Sequence, residues 1–243
     1  MNKKIKFAAI LTRTHKWIGL LVGLQLVMWT VGGFIMAVFP IETVRSEAMI
    51  AEPQILPEQL DIPVNPQQAI NAAKLENVIG MRLESFAGEP VWRLQAKDES
   101  ALVSAITGKS LLPLSKETAQ KIILQDYSGN GKIITLERVE KGPVEVRFRG
   151  PLWRAEFSEP KNYTVWADIE EGRIIAHRSS VWRLFDFFWM LHIMDYGDRD
   201  DFNNPLLVFF AFSASIFSLT GISLLVHRFL LRPRPRRKNK RQP

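Results

Sequence analysis

The 243-residue chain has no cysteine, which excludes disulfides, thiolate metal sites and a cysteine nucleophile. It has no G-x-G-x-x-G, no G-x-x-x-x-G-K-[ST], no H-E-x-x-H and no G-x-S-x-G, so no nucleotide, flavin, zinc-protease or serine-hydrolase site can be pointed to. Residues 18–39 and residues 205–226 contain no charge, and residues 1–17 and 227–243 contain no acid. Histidine is scarce, with four in all: His15, His177, His192 and His227.

The two uncharged runs are each long enough to cross a hydrocarbon core of about 30 Å at about 1.5 Å per residue. The first is too long for the apolar part of a cleaved signal, and no A-x-A-like site follows it in "FPIETVRSEAMIAEP". It reads as an anchor. The flanks carry 13 of the 32 basic residues, so the positive-inside rule predicts both ends in the cytoplasm. The stretch between them holds the other 19 basic residues and all 25 acids, leaving it at −6 in a chain of net charge +7. The basic tail "RPRPRRKNKRQP" then meets anionic headgroups, and the high pI is no sign of nucleic-acid binding.

The middle of the chain repeats itself. "PVWRLQAKDESALVSAITGKSLLP" from Pro90 and "PLWRAEFSEPKNYTVWADIEEGRIIA" from Pro151 share Pro, an aliphatic residue, Trp, Arg, a turn, and an alternating strand closing at Gly108 or Gly172. A helix precedes each hairpin. The first is predicted to start at Asn65 with Pro66 behind it, and the second at Ser115, burying Ala119, Ile122, Ile123 and Tyr127. The fold class expected is α+β, with two membrane helices flanking a domain of two such modules. The boundaries are a cytoplasmic start over 1–17, a span over 18–39, modules over 42–114 and 115–180, an interfacial helix and acidic connection over 181–204, a second span over 205–231, and a basic tail over 232–243.

"THKWIGLLVGLQLVMWTVGGFIMAVF", the two modules, and "MLHIMDYG" followed by "SLTGISLLVHRF" together resemble the PepSY-associated transmembrane helix family over essentially the whole chain. Larger members have four or more spans and include inner-membrane proteins linked to siderophore iron release, in which intramembrane histidines carry haem. The resemblance implies a cytoplasmic-membrane protein with haem b, handing electrons to a periplasmic acceptor such as a ferric chelate. Two spans in place of four argue against a two-haem path inside one chain. The electron donor would be another protein.

Depth counting offers ligands for that haem. His15 lies about 36 Å along the first helix from Phe39, and His227 about 33 Å along the second from Pro205, so the two stand near one level and could face the two sides of a porphyrin. Gly19 and Gly23 continue the His15 stripe and leave it open to a flat macrocycle or to close helix packing. Two helices enclose a macrocycle only in part, so a homodimer or larger membrane complex in the lipid bilayer is expected.

Plainer readings stand beside these. His15 and His227 each adjoin a cation, Lys16 and Arg228, as interfacial anchors do. His192 sits in "SSVWRLFDFFWMLHIMDYG", a segment suited to the outer interface, with His177 as its one candidate partner in the chain. "DYGDRDDFNNP" lacks calcium-loop spacing and reads as a solvated connection, ending in an Asn204-Pro205 cap. The Trp-Arg pairs read as hairpin packing. The alternative to electron transfer is a membrane-tethered binding module that restrains a peptidase or joins a membrane complex through a strand edge, and it needs no histidine.

Overall fold

The structure is a computed structural model that describes residues 3–231; the basic tail lies outside the described residues. The chain divides into two units, one formed by α1 up to Ala37 with the chain from Phe188 onward, the other by Val38–Phe187.

In the first unit two helices are long and apolar enough to cross a membrane, over Ala9–Val38 and Pro205–Leu230. They belong to α1 (Lys3–Val38) and to α6 (Pro205–Val226), which runs on into a five-residue π turn, His227–Leu231. Both helices are apolar all round, so periodicity cannot say which side faces protein. Burial does: Val22, Gln25 and Gly32 are covered on α1, Ser213 and Thr220 on α6, at the three- and seven-residue spacings of a helix-packing seam. α6 starts where sequence expects it, with the Asn204 side chain accepting from Leu207 N at 2.9 Å and Pro205 in the first turn.

The second unit holds two antiparallel sheets. A single turn, α2 (Ile41–Val44), leads to α3 (Pro66–Ala73) and the three-stranded sheet β1 (Gly80–Phe86), β2 (Glu89–Gln95) and β3 (Ser100–Ser104), in that order. Then α4 (Lys116–Asp126) precedes the four-stranded sheet β4 (Ile133–Val139), β5 (Leu152–Phe157), β6 (Tyr163–Asp168) and β7 (Arg173–Arg178), also in sequence order. α3 opens with the capping box of Asn65 and Gln68, and α4 with Ser115 accepting from Thr118 N. Both helix starts fall at the residues the sequence marked.

The Trp-Arg pairs do more than fill hairpins. Trp92 Nε1 donates to Val64 O and Trp153 Nε1 to Leu114 O, each at 2.8 Å and each to the residue just before a helix cap. The indole therefore fixes where its helix begins, a use of the one polar group on a large apolar ring. Arg93 binds Glu84 Oε1 at 2.6 Å on the strand beside it, and reaches the β6–β7 turn at Glu171 O (2.7 Å) and Gly172 O (3.1 Å). It ties the first sheet to the second.

Strand parity sorts the core. Leu94, Ala101 and Val103 turn toward Ala69 of α3, while Phe86, Val91 and Leu102 point the other way and join Ile123, Tyr127, Ala155, Phe157, Tyr163, Val165 and Ala167 in the main core. The first sheet is thus buried on both faces, so β3 is covered throughout residues 101–104 and lacks the single buried face that the expected alternation implied. A third cluster, with Trp166, Leu152 and Ala176, covers the far face of the second sheet. α5 (Ser180–Ile193) leaves that unit with Arg183 bound to Glu145 at 2.9 Å and to Thr164 Oγ1 at 2.9 Å.

Candidate functional site

His15 turns inward onto α6. Its ring lies on Phe217 with centroids 4.1 Å apart and planes 10° from parallel. Nδ1 stands 3.1 Å from Phe217 O and 3.0 Å from Thr220 Oγ1. A carbonyl only accepts, and Thr220 donates its own proton to Phe217 O at 2.8 Å, so the tautomer these partners suit carries its proton on Nδ1. Two glycines make the contact possible. A Cβ on Gly221 would stand 3.0 Å from His15 Cε1, and one on Gly19 would stand 2.7 Å from the Phe217 ring.

Depth counting from the loop ends therefore misplaces His227. His15 is level with Gly221, six residues short of His227, which is roughly 9 Å along the helix axis. The structure does not bring these two rings together within one chain. The count assumed that Phe39 and Pro205 start level, whereas the helix contact sets the register. Gly19 and Gly23 also part company: Gly19 is filled by Phe217, and among the described residues nothing lies within 4 Å of a Cβ on Gly23.

This separates two effects. Gly19→Ile is expected to lower the stability of the detergent-purified chain by about 1–3 kcal/mol, through overpacking against Phe217. Gly23→Ile is expected to leave it within about 0.5 kcal/mol. Thermal melts followed by circular dichroism measure both, and equal losses would show that Gly23 also meets a partner.

His192 sits in the last turn of α5, where a helix leaves carbonyls unbonded. Gln25 Nε2 donates to Leu191 O (3.2 Å), Trp29 Nε1 to His192 O (2.8 Å) and Asn204 Nδ2 to Ile193 O (2.8 Å), so each of three successive carbonyls has a side-chain donor. Gln25, a polar residue in the middle of an apolar span, is explained by that duty; sequence reasoning passed over it. The His192 ring lies 6.3 Å from the Trp29 ring, and its Nδ1 is buried without a hydrogen-bond partner. The acidic connection is built, not merely solvated: the Asp195 carboxylate accepts from the backbone of Gly197 (3.0 Å), Asp200 (2.9 Å) and Asp201 (3.1 Å). Those donors, chiefly Asp200 and Asp201, hold its pKa below the usual carboxylate value.

His177 has its contacts within the second unit. It is buried in the second unit, with Nδ1 2.8 Å from the Tyr163 hydroxyl and Nε2 2.7 Å from Asp126 Oδ2, off the line of an ideal hydrogen bond. The three residues come from β7, β6 and the end of α4, and sequence gave no signal joining them. The pair borders a cavity of about 340 Å³ with Arg45, Arg178 and Trp182. Burial first, then the neighbouring Tyr127 and Asp126, push the Tyr163 hydroxyl above its ordinary value of 10.0.

Because the folded pKa is the higher, the unfolded chain loses this proton first. The stability tied to it is complete below about pH 10 and falls by about 1.4 kcal/mol per pH unit above that. Tyr163→Phe, which leaves His177 Nδ1 without its hydrogen-bond partner, is expected to cost about 1 kcal/mol at neutral pH. The gap from wild type should narrow above pH 10 in urea titrations; a constant gap would show that the hydroxyl ionises freely in the fold.

Beside these residues opens a cleft of about 990 Å³, walled by β1 and β2, by the extended segment from Ile50 to Gln54, by Gln125 and Asp126 of α4, and by the β6–β7 turn. Among the described residues no three of His, Cys, Asp or Glu stand together as a metal-holding group. No family model, curated protein or solved structure matches this chain.

Proposed function

We propose that the protein is a membrane-tethered binding module of the PepSY type. Two spans hold a domain of two helix-plus-sheet modules on the outer side of the cytoplasmic membrane, both termini lie inside, and the domain engages a peptide or protein partner there. The observation that carries this reading is the cleft of about 990 Å³, at the upper end of the size range of binding pockets and bounded by elements from both sheets. The tether needs no cofactor, and three side chains of α1 are occupied in joining helices: His15 to α6, Gln25 and Trp29 to the end of α5. The test places a photo-cross-linking amino acid at Gln54, on the cleft wall, in living cells. A discrete adduct that persists when both spans are exchanged for unrelated apolar helices supports a module whose spans only anchor it. An adduct lost on that exchange gives the spans a working role, and no adduct overturns the reading.

One observation favours haem-assisted electron transfer as a second reading. His15 Nδ1 stands within hydrogen-bond distance of a backbone carbonyl, the contact by which ligating histidines are oriented through their second nitrogen. Haem b would supply one-electron chemistry, toward a periplasmic acceptor such as a ferric chelate. One chain offers His15 alone at that level, so the opposing ligand would be His15 or His227 of a second copy in a homodimer, with the open face at Gly23 as the contact. Protein from haem-replete cells should then show a Soret band that dithionite sharpens and that His15→Ala removes. A colourless preparation sinks this reading, and a band lost only on His192→Ala moves the site to the end of α5.

A further inference from the structure

β1 is the outer strand of its sheet. Its pairing with β2 uses one edge over Gly80–Phe86, and no backbone group of another segment among the described residues bonds to those residues from the other side. Alternate N–H and C=O groups along seven residues are therefore available, and a free strand edge is a template for another strand. Natural edges are guarded by short length, proline or covering loops; this one borders the cleft.

Charge selects the occupant. The three arginines on the cleft wall are already paired: Arg82 and Arg93 share one carboxylate, Glu84, each at 2.6 Å, and Arg173 pairs with Glu171. Four further carboxylates on the wall, Glu52, Asp98, Glu99 and Glu170, are exposed and form no ion pair among the described residues. The acids come from three separate segments around the same opening. A free edge gives main-chain affinity, and uncompensated negative charge around it gives preference for a cationic strand.

We infer that the cleft binds an extended, lysine- or arginine-bearing segment of another protein, which adds as a fourth strand to the free edge of β1. This rests on the binding-module reading and names its ligand class. Side chains of the added strand alternate between faces, so a peptide with cations at every second position sets all of them on one side of the sheet. The length of β1 calls for about seven or eight residues, roughly 25 Å of extended chain.

The test uses the full chain in uncharged maltoside detergent and two fluorescein-labelled octapeptides, (Val-Lys)4 and (Val-Glu)4, read by anisotropy. The whole protein carries +7, so non-specific attraction favours the acidic peptide, and a preference for the lysine peptide cannot come from net charge. The expected result is that (Val-Lys)4 binds at least tenfold tighter and weakens as salt rises. The combined variant Glu52→Gln, Asp98→Asn, Glu99→Gln, Glu170→Gln should erase that preference. N-methylation of alternate peptide bonds along the pairing edge should abolish binding, and amides of residues 80–86 should gain protection from hydrogen exchange in the complex. Equal binding of the two peptides, or lysine-peptide binding that survives either change, overturns the inference. If the Gln54 adduct forms in cells while (Val-Lys)4 does not bind, only the occupant is wrong; if both are absent, the module reading falls with it.

Discussion

Phe157→Ala is expected to lower the melting temperature of the purified chain by roughly 10 °C. Phe157 is 1 % exposed at the end of β5, with its ring centroid 4.0 Å from that of Tyr127 and 6.0 Å from that of Tyr163. Truncating a buried phenylalanine costs about 3–5 kcal/mol, since the walls around the void relax only in part. At roughly 2–4 °C per kcal/mol for a unit of this size, that gives the stated shift. The effect is large because this ring stands where α4 meets the second sheet, in the core that the first sheet joins through Val91 and Leu102. Phe157→Leu should recover more than half of the loss, as the void is then partly filled. A scan in which both variants melt with the wild type would show that this core does not govern unfolding.

Glu145→Ala is expected to cost about 3 kcal/mol, although no apolar group is removed. The Glu145 carboxylate accepts from Arg183 Nε (2.9 Å), Arg183 Nη2 (3.2 Å) and Trp166 Nε1 (3.1 Å). Its backbone oxygen takes Arg178 Nε at 2.8 Å. Burial pulls Arg178 down to about 10, and the charges of Glu145 and Asp186 oppose that fall. Removing the carboxylate strands the indole N–H and leaves two guanidinium groups facing each other with one anion fewer. Breaking a buried pair costs about 3–5 kcal/mol, and the one-third exposure of Arg183 sets the lower end of that range. Adding Arg183→Leu should restore about 1 kcal/mol or more, because the double variant no longer holds the unpaired cation. Urea titrations of the single and double variants check this, and strictly additive losses would mean that Glu145 acts through Trp166 and Arg178 alone.

These two positions differ in how far the sequence announced them. Phe157 closes the first strand of the repeated segment from Pro151, which the sequence marked as a hairpin, and β6 beside it is covered on both faces, Trp166 as well as Val165 and Ala167. Arg183 was legible only as an interruption of an apolar segment. The reason for it, Glu145, lies 38 residues earlier in a short turn with no periodicity of its own. Local patterns report which side of a strand is covered; they carry no address for the partner of a charge.

The unit of the two long apolar helices draws the same line. Length and lack of charge were enough to identify two helices able to cross a membrane, because the hydrocarbon core imposes a length that can be counted. The caps at Asn65, Ser115 and Asn204 were equally readable, since a cap is satisfied within three residues of itself. Side-chain depth was not. His15 was counted from Phe39 and His227 from Pro205, but the two helices are set against each other by Gly19 admitting Phe217 and Gly221 admitting His15, a fit of shapes 200 residues apart. The glycine pair Gly19 and Gly23 looked like one stripe in sequence, and only packing reveals that one is filled and the other open. The cleft and the contact of His177 with Tyr163 and Asp126 belong wholly to the tertiary structure. Sequence alone determined the two long apolar helices, the helix caps and the two Trp-Arg hairpins, because those follow from neighbours a few residues apart. Which polar groups meet, and where a strand edge is left open, was decided only when distant elements closed on one another and every buried donor had to find an acceptor.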